Sequence, residues 1–268
     1  MQQYGSECKF TSSESWVILN PIEQSIKSKI EAVGTPLKDW DIQINYGIKT
    51  GFNPAFIIDE KTRSEILSNC KDAAERNRTD ALIRPILRGR DIKRYSYDWA
   101  GLYLIASHNG NKDKKIPPID IKDYPAVKKH LDKYWDKISK RSDKGDTPYN
   151  LRNCAYMDDF LKQKIAYREI GTAMDACEVP AGWMINNKLF MITGTHLQHI
   201  MHFLNSKVFN RIIFQTANFG GGKGVDWLQE IKVPLPNDCP LSASESTDNK
   251  LAQYYCLCDK EIAFIESR

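Results

Sequence analysis

No apolar run in this chain approaches the roughly 20 residues that a membrane-spanning helix needs, so no membrane partner is expected. The opening, Met1 to Glu14, is polar and lacks the apolar core of a secretory signal, which argues against export. Paired metal spacing is missing from the cysteines. Cys8, Cys70, Cys154, Cys177, Cys239, Cys256 and Cys258 are seven, an odd number, and scattered, as suits reduced thiols in a cytoplasm. Cys256 and Cys258 would point to different faces of a helix. His196, His199 and His202 are spaced by three, a step that drifts around a helix, and no acid or cysteine stands near them, so no metal site is expected. The glycine run Asn218-Phe219-Gly220-Gly221-Gly222-Lys223-Gly224 lacks the Gly-x-x-x-x-Gly-Lys-Ser/Thr order of a nucleotide-binding loop, which disfavours ATP.

What the chain does contain is the material of an ordinary core. With 268 residues, 41% hydrophobic and 27% charged, it suits one large domain or two modest ones. Its net charge of +4 allows a polyanionic partner without requiring one. Residues 1–15 read as a flexible lead-in. Asn20-Pro21-Ile22-Glu23 then has the N-cap, first-turn proline and N3 glutamate of a capped helix start, with Ile22, Ile26, Ile30 and Val33 as its apolar stripe. Alternation over 41–46 predicts a strand that residues 47–53 turn back, as a hairpin, into 55–58. Further strands are expected at 82–87, 101–106 and 164–170, and at 182–185 and 189–192, joined by a turn at Asn186-Asn187. Helices are expected after Asp59, from Asp123 to about Lys140, from Thr195, and at the C-terminus, where Leu251, Tyr255, Cys258, Ile262 and Ile265 make a heptad-like seam. Lysines 129, 133, 137 and 140 line one side of the second of these helices, but Asp132 and Asp136 interrupt them, so that side reads as a solvated face. The fold class is α/β of the α+β kind, a curved mixed or antiparallel sheet with flanking helices plus terminal helices.

The densest charge lies in Ile83-Arg84-Pro85-Ile86-Leu87-Arg88-Gly89-Arg90-Asp91-Ile92-Lys93-Arg94-Tyr95, five cations against one acid after an apolar turn. Pro85 pushes Arg84 towards extended backbone and Gly89 permits a bend, which presents Arg88 and Arg90 as planar five-donor cations suited to a phosphate or a guanine edge. Taken alone, the run is equally a solvated turn whose arginines pair with carboxylates. Its sequence resembles the opening segment of the TaqI-like C-terminal specificity domain, the target-recognition domain of N6-adenine DNA methyltransferases and of fused restriction-methylation enzymes. Further likenesses follow in the family's order. They are Gly47-Ile48-Lys49-Thr50-Gly51-Phe52-Asn53-Pro54-Ala55-Phe56, Lys164-Ile165-Ala166-Tyr167-Arg168-Glu169-Ile170, Leu204-Asn205-Ser206-Lys207-Val208-Phe209-Asn210, and Ile231-Lys232-Val233-Pro234-Leu235-Pro236, the last overlapping a stretch from Trp227 to Pro234 that resembles the family's exit strand. The resemblance spans residues 42–236. In the second basic loop, Arg141 to Arg152, relatives usually carry Trp-(Tyr/Trp)-Glu-Leu-Arg where this chain has Tyr149-Asn150-Leu151-Arg152.

The resemblance implies a division into a lead-in (1–15), a leading helix (16–40), a DNA target-recognition domain (41–236), and a linker with a packing helix (237–268). Arg88 and Arg90 are the expected direct contacts, with Arg94, Arg141, Lys144 and Lys223 on phosphates. Lys49, Lys93 and Arg152 join them, and Tyr149 either stacks on a base or sugar or packs on a helix. The glycine run beside Lys223 is either a phosphate cradle or a connector. No Gly-rich S-adenosylmethionine loop, no Asn/Asp-Pro-Pro-Tyr/Phe motif and no nuclease carboxylate cluster stands out. Catalysis is therefore expected elsewhere, in a methyltransferase or endonuclease domain of the same polypeptide or a partner subunit, with S-adenosylmethionine and possibly magnesium there and no cofactor in this chain. The expected partner is double-stranded DNA and the expected location is the cytoplasm. The alternatives are a protein-interaction or small-ligand module without DNA contact, and a catalytic domain with an unfamiliar site.

Overall fold

The computed structural model describes residues 19–168, 173–214, 225–242 and 246–267. Along the chain run α1 (Pro21–Ala32), β1 (Ile42–Tyr46), β2 (Ile57–Asp59), α2 (Glu60–Ser68), α3 (Ala73–Leu82), β3 (Ile83–Leu87), β4 (Leu102–Ile105) and α4 (Pro125–Asp132). There follow β5 (Lys164–Arg168), β6 (Ala176–Val179), β7 (Met184–Ile185), β8 (Leu189–Gly194), α5 (Leu197–Leu204), α6 (Thr247–Tyr254) and α7 (Asp259–Glu266). No helix among the described residues is long and apolar enough to cross a membrane.

A central antiparallel sheet in the order β1-β8-β5-β6 divides two cores. Its strict register puts Ile44, Ile192 and Ile165 in one row and Asn45, Met191, Ala166 and Cys177 in the next, so alternate rows face opposite ways. The first face packs with α1, α5 and the C-terminal helices. Here Phe190 lies between Tyr46 and Tyr167, at 4.7 and 5.2 Å between ring centroids. The other face shares a core with a second sheet, β7-β3-β4-β2, in which β7 pairs parallel to β3 and the rest is antiparallel. The architecture is thus the mixed α/β one expected.

Several local expectations are corrected. The hairpin over 41–58 does not form, because Pro54 takes an early position in a helical turn, Asn53–Phe56, and the apolar residues beyond it pair as β2 with β4 in the other sheet. The turn at Asn186-Asn187 joins strands of different sheets, not a hairpin. The helix expected over 123–140 stops at Asp132 and resumes as Trp135–Ile138; Tyr134 leaves helical geometry with its ring against His130 and Phe52, at 5.5 and 6.1 Å. The exit strand begins as a helix, Val225–Gln229, and only Lys232–Val233 is extended, paired with Thr35–Pro36. Cys256 has φ +51°, a left-handed conformation that ends α6 and breaks the heptad seam, leaving Cys258 exposed as the N-cap of α7.

The capped first helix forms as read. The Asn20 side chain accepts from the Glu23 amide and the Glu23 carboxylate from the Asn20 amide. Helix α7 packs back on it through Glu261, whose carboxylate takes Lys29 at 2.6 Å, Ser25 at 2.7 Å and the Cys258 amide at 2.8 Å. Burial works against this charge. The Lys29, Cys258 and Ser25 hydrogen bonds outweigh it and bring the carboxyl down to about 2.

Candidate nucleic-acid interface

One glycine organises the cationic end of the central sheet. A Cβ on Gly47 would lie 2.0 Å from the Asn186 carbonyl oxygen, so only glycine lets the chain after β1 lie against the turn before β8. The contact is laced by backbone bonds, Gly47 N to Leu189 O at 2.9 Å, Ile48 N to Ile185 O at 2.8 Å and Asn187 N to Ile48 O at 3.0 Å. On its other side the same turn meets β3, with Asn186 N on Leu87 O at 2.9 Å, and Lys188 stands beside Gly89. The register then carries the row onward, because Arg168 lies opposite Leu189 and the Tyr95 amide bonds the Ala176 carbonyl. Loops far apart in sequence thereby bring Lys49, Lys188, Arg88 with Arg90, Arg168, and Arg94 to one end of one sheet. Lys188 and Arg168 were not among the residues expected from sequence.

These cations differ in what they already hold. Arg90 is exposed, with no acidic partner in ion-pair range among the described residues. Arg88 is committed inward: Nε and Nη2 bind the two oxygens of buried Asp91 at 3.1 and 2.8 Å, and this hydrogen bonding raises the guanidinium above its ordinary value. That is the carboxylate-paired turn left open by the sequence. Lys93 lies 3.8 Å from Asp98, and Arg168 pairs with Asp175. Arg94 donates to the Asn205 carbonyl at 3.1 Å and its guanidinium lies 5.2 Å from the Tyr95 ring centroid.

Loop 141–152 adds a second group. Lys49 Nζ lies 2.9 Å from one oxygen of Asp143, and Arg152 Nη1 lies 3.3 Å from the other. Lys144 is exposed and donates to the Ser139 carbonyl at 2.7 Å. Tyr149 takes the packing alternative: its hydroxyl donates to Asp132 at 2.6 Å and its ring lies 5.5 Å from that of Trp135. Arg141 is a correction. It is 7% exposed, its guanidinium donates to the carbonyls of Thr50, Asp143, Pro148 and Asn150, and it lies 4.3 Å from the Phe56 ring centroid. Burial pulls it down to about 10, still charged at neutral pH. Both terminal nitrogens are spent on these carbonyls and the remaining donor, Nε, is buried without a partner, so the side chain turns nothing towards a phosphate. Lys223 and its glycine run lie outside the described residues.

Between residues 46–49 and 151–157 opens a groove of about 420 Å³, with Lys49, Arg152, Tyr46, Tyr156, Asn153 and Asn187 among its walls. The three histidines do not gather round one point. His196, the N-cap of α5, and His199 both meet Trp40, the second with its Nε2 2.8 Å from the Pro234 carbonyl oxygen, whereas His202 meets Tyr95.

A sheet end fringed by cations, tyrosines and amides, with a groove between its loops, has the donors that phosphate contact and base-edge contact both require. The sequence profile of the TaqI-like C-terminal specificity domain matches residues 84–222, more than half of the chain, and the chain belongs to that family. It is a DNA target-recognition module of the restriction-modification kind, a reading the match favours over an interaction module without DNA. Two of the solved structures that resemble it are restriction enzymes. The type IIL restriction-modification enzyme MmeI, in complex with DNA, is 12% identical with a TM-score of 0.49, over 87% of this chain and 33% of that one. The type IIG restriction endonuclease BpuSI is 11% identical with a TM-score of 0.44, over 92% and 28%. The chain thus spans a third or less of the length of these proteins. No curated protein sequence matches it.

Proposed function

We propose that this chain presents the cationic end of its central sheet to duplex DNA and reads a short site there for an adenine-N6 methyltransferase or a fused restriction endonuclease and methyltransferase. The catalytic domains then lie in the same polypeptide or in a partner subunit. S-adenosylmethionine, and magnesium where cleavage occurs, belong to those domains. Among the described residues no three His, Cys, Asp or Glu side chains gather as metal ligands.

The observation that carries the proposal is convergence. Lys49, Arg90, Arg94, Arg152, Arg168 and Lys188 come from separate stretches of sequence, and strand register with the Asn186 turn brings them to one end. Adjacent strands lie roughly 4.8 Å apart, so four strands span about 14 Å, comparable with a major groove about 12 Å wide. The work divides between phosphate contacts that fix register and side chains at base edges that specify. Arg90, exposed and without an acidic partner among the described residues, is assigned to a base edge.

Selection of a randomised duplex library on the purified chain, at two salt concentrations, tests this reading. Retention should fall steeply with salt, and the retained pool should share a short motif. In Arg90→Ala the preference at one base pair should relax by about 1–3 kcal/mol while the others hold. Retention without any shared motif would remove the assignment of sequence reading to this chain; no retention at low salt would remove DNA binding as well.

A further inference from the structure

The geometry points to a phosphodiester site made by Lys49 and Arg152, in which the Asp143 carboxylate holds the place of a DNA backbone phosphate until the duplex displaces it. This inference rests on the DNA reading above. The carboxylate offers one oxygen to each cation, 2.9 Å to Lys49 Nζ and 3.3 Å to Arg152 Nη1. A phosphodiester likewise has two non-bridging oxygens and one negative charge, so it can take over the same two donors.

Exposure gives the exchange a direction. The Lys49 and Arg152 side chains are 50% and 56% exposed while that of Asp143 is 20% exposed, so the acid lies beneath and the cations reach outward. Neither cation depends on the acid for its place. Lys49 follows directly on Ile48, which is tied to the turn before β8 by its amide and its carbonyl, and Arg152 follows Leu151, whose amide bonds the Ser107 carbonyl at 2.8 Å. Asp143 is fixed in turn by Arg141, which donates to its backbone carbonyl at 3.0 Å. The spacing of the two cations is therefore built into the backbone and outlasts loss of the ion pair. The Lys49 hydrogen bond holds the Asp143 carboxyl below the usual carboxylate range against its burial, with the charges of Lys49 and Arg152 assisting, so an arriving phosphate competes with an anion already in place.

Single cations along this end are also paired with acids, Arg88 with Asp91, Lys93 with Asp98 and Arg168 with Asp175, though among the described residues none of these carboxylates bridges two cations as Asp143 does. Each pair lowers the grip on arbitrary DNA. The domain then releases fewer counterions on binding than its number of cations implies, and a duplex that does not fit is held weakly.

Titration of a labelled duplex followed by fluorescence anisotropy, over a series of salt concentrations, tests the site. Lys49→Ala and Arg152→Ala should each weaken binding of every sequence about threefold to tenfold and lower the salt slope by about one. Asp143→Asn should instead strengthen binding of every sequence about threefold to tenfold with unchanged site preference. In the Lys49→Ala background the Asp143→Asn gain should shrink, since one of the two donors is gone. Asp143→Ser serves as a second variant should the asparagine lower thermal stability. Unchanged or weaker binding by a stably folded Asp143 variant would overturn the proposal and make the acid a loop fastener. Salt-dependent wild-type binding indifferent to all three positions would remove this site and leave the DNA reading standing, whereas no wild-type binding at low salt would remove both.

Discussion

Arg141 divides the functional from the architectural use of a basic residue, and its replacement by methionine has a calculable outcome. Its guanidinium donates to four backbone carbonyls, those of Thr50, Asp143, Pro148 and Asn150. At about 1.5 kcal/mol for each charge-assisted bond, these contribute about 6 kcal/mol. Against them stands the cost of burying the cation. Its fall from 12.5 to about 10 corresponds, at about 1.36 kcal/mol per pKa unit, to about 3 kcal/mol. The difference leaves Arg141→Met about 3 kcal/mol less stable, measured as urea unfolding with an unchanged m-value. Arg141→Lys should fall between, since a point-like ammonium carries three donors and cannot reproduce a planar fork. A phosphate contact would behave oppositely, leaving stability intact and reducing the salt slope of DNA binding by about one. Stability of Arg141→Met within about 0.5 kcal/mol of wild type, together with such a drop in slope, would refute the buried-staple assignment.

Two further residues carry pH signatures of opposite sense. Glu261 has a folded value of about 2, below its unfolded one, so its contribution is present above the unfolded value and lost as pH falls towards 2. Glu261→Gln should cost about 1–3 kcal/mol at neutral pH, and the gap to wild type should narrow near pH 3; an equal gap at both pH values would exclude the ionised carboxylate as its source. Lys164 is fully buried, its ammonium donating to the carbonyls of Phe160, Pro180 and Trp183 at 3.0, 3.2 and 3.3 Å, and burial lowers it from 10.5 to about 8. Between those values the unfolded chain binds more protons than the folded one, so wild-type stability should rise by about 2–3 kcal/mol as pH climbs through the window. The Lys164→Met curve should lack that rise, and parallel curves for the two proteins in urea titrations would sink the argument.

What the sequence reveals is what short range decides. The Asn20 to Glu23 capping box, the alternation of β1 and the apolar runs of β4 and β5 are local and appear where expected. Partnership between strands is not local. Pro54 sends the residues after it into the other sheet, and the Asn186 turn connects two sheets where its residues suggest one hairpin. The same limit governs the interface. Basic residues are recognisable by type, but their meeting depends on Gly47 fitting against Asn186, a contact between segments about 140 residues apart. Arg141 reads as a surface cation because the carbonyls that receive it are invisible in the sequence. Lys188 carries no signal beyond its place beside a turn.

The central sheet has a core on either face, and this has an evolutionary consequence. Since folding is secured by rows such as Ile44, Ile192 and Ile165 and by Met191, Ala166 and Cys177 behind them, the exposed residues at the strand ends have little part in keeping the chain folded. Exchange of an exposed residue such as Arg90 changes stability by about 0.5 kcal/mol or less, well inside what a domain tolerates. Selection can therefore rewrite the fringe residue by residue while the scaffold stays as it is. Gly47 and Arg141 are exceptions to that freedom: the first has no room for a Cβ, and the second holds together the loop that carries Asp143.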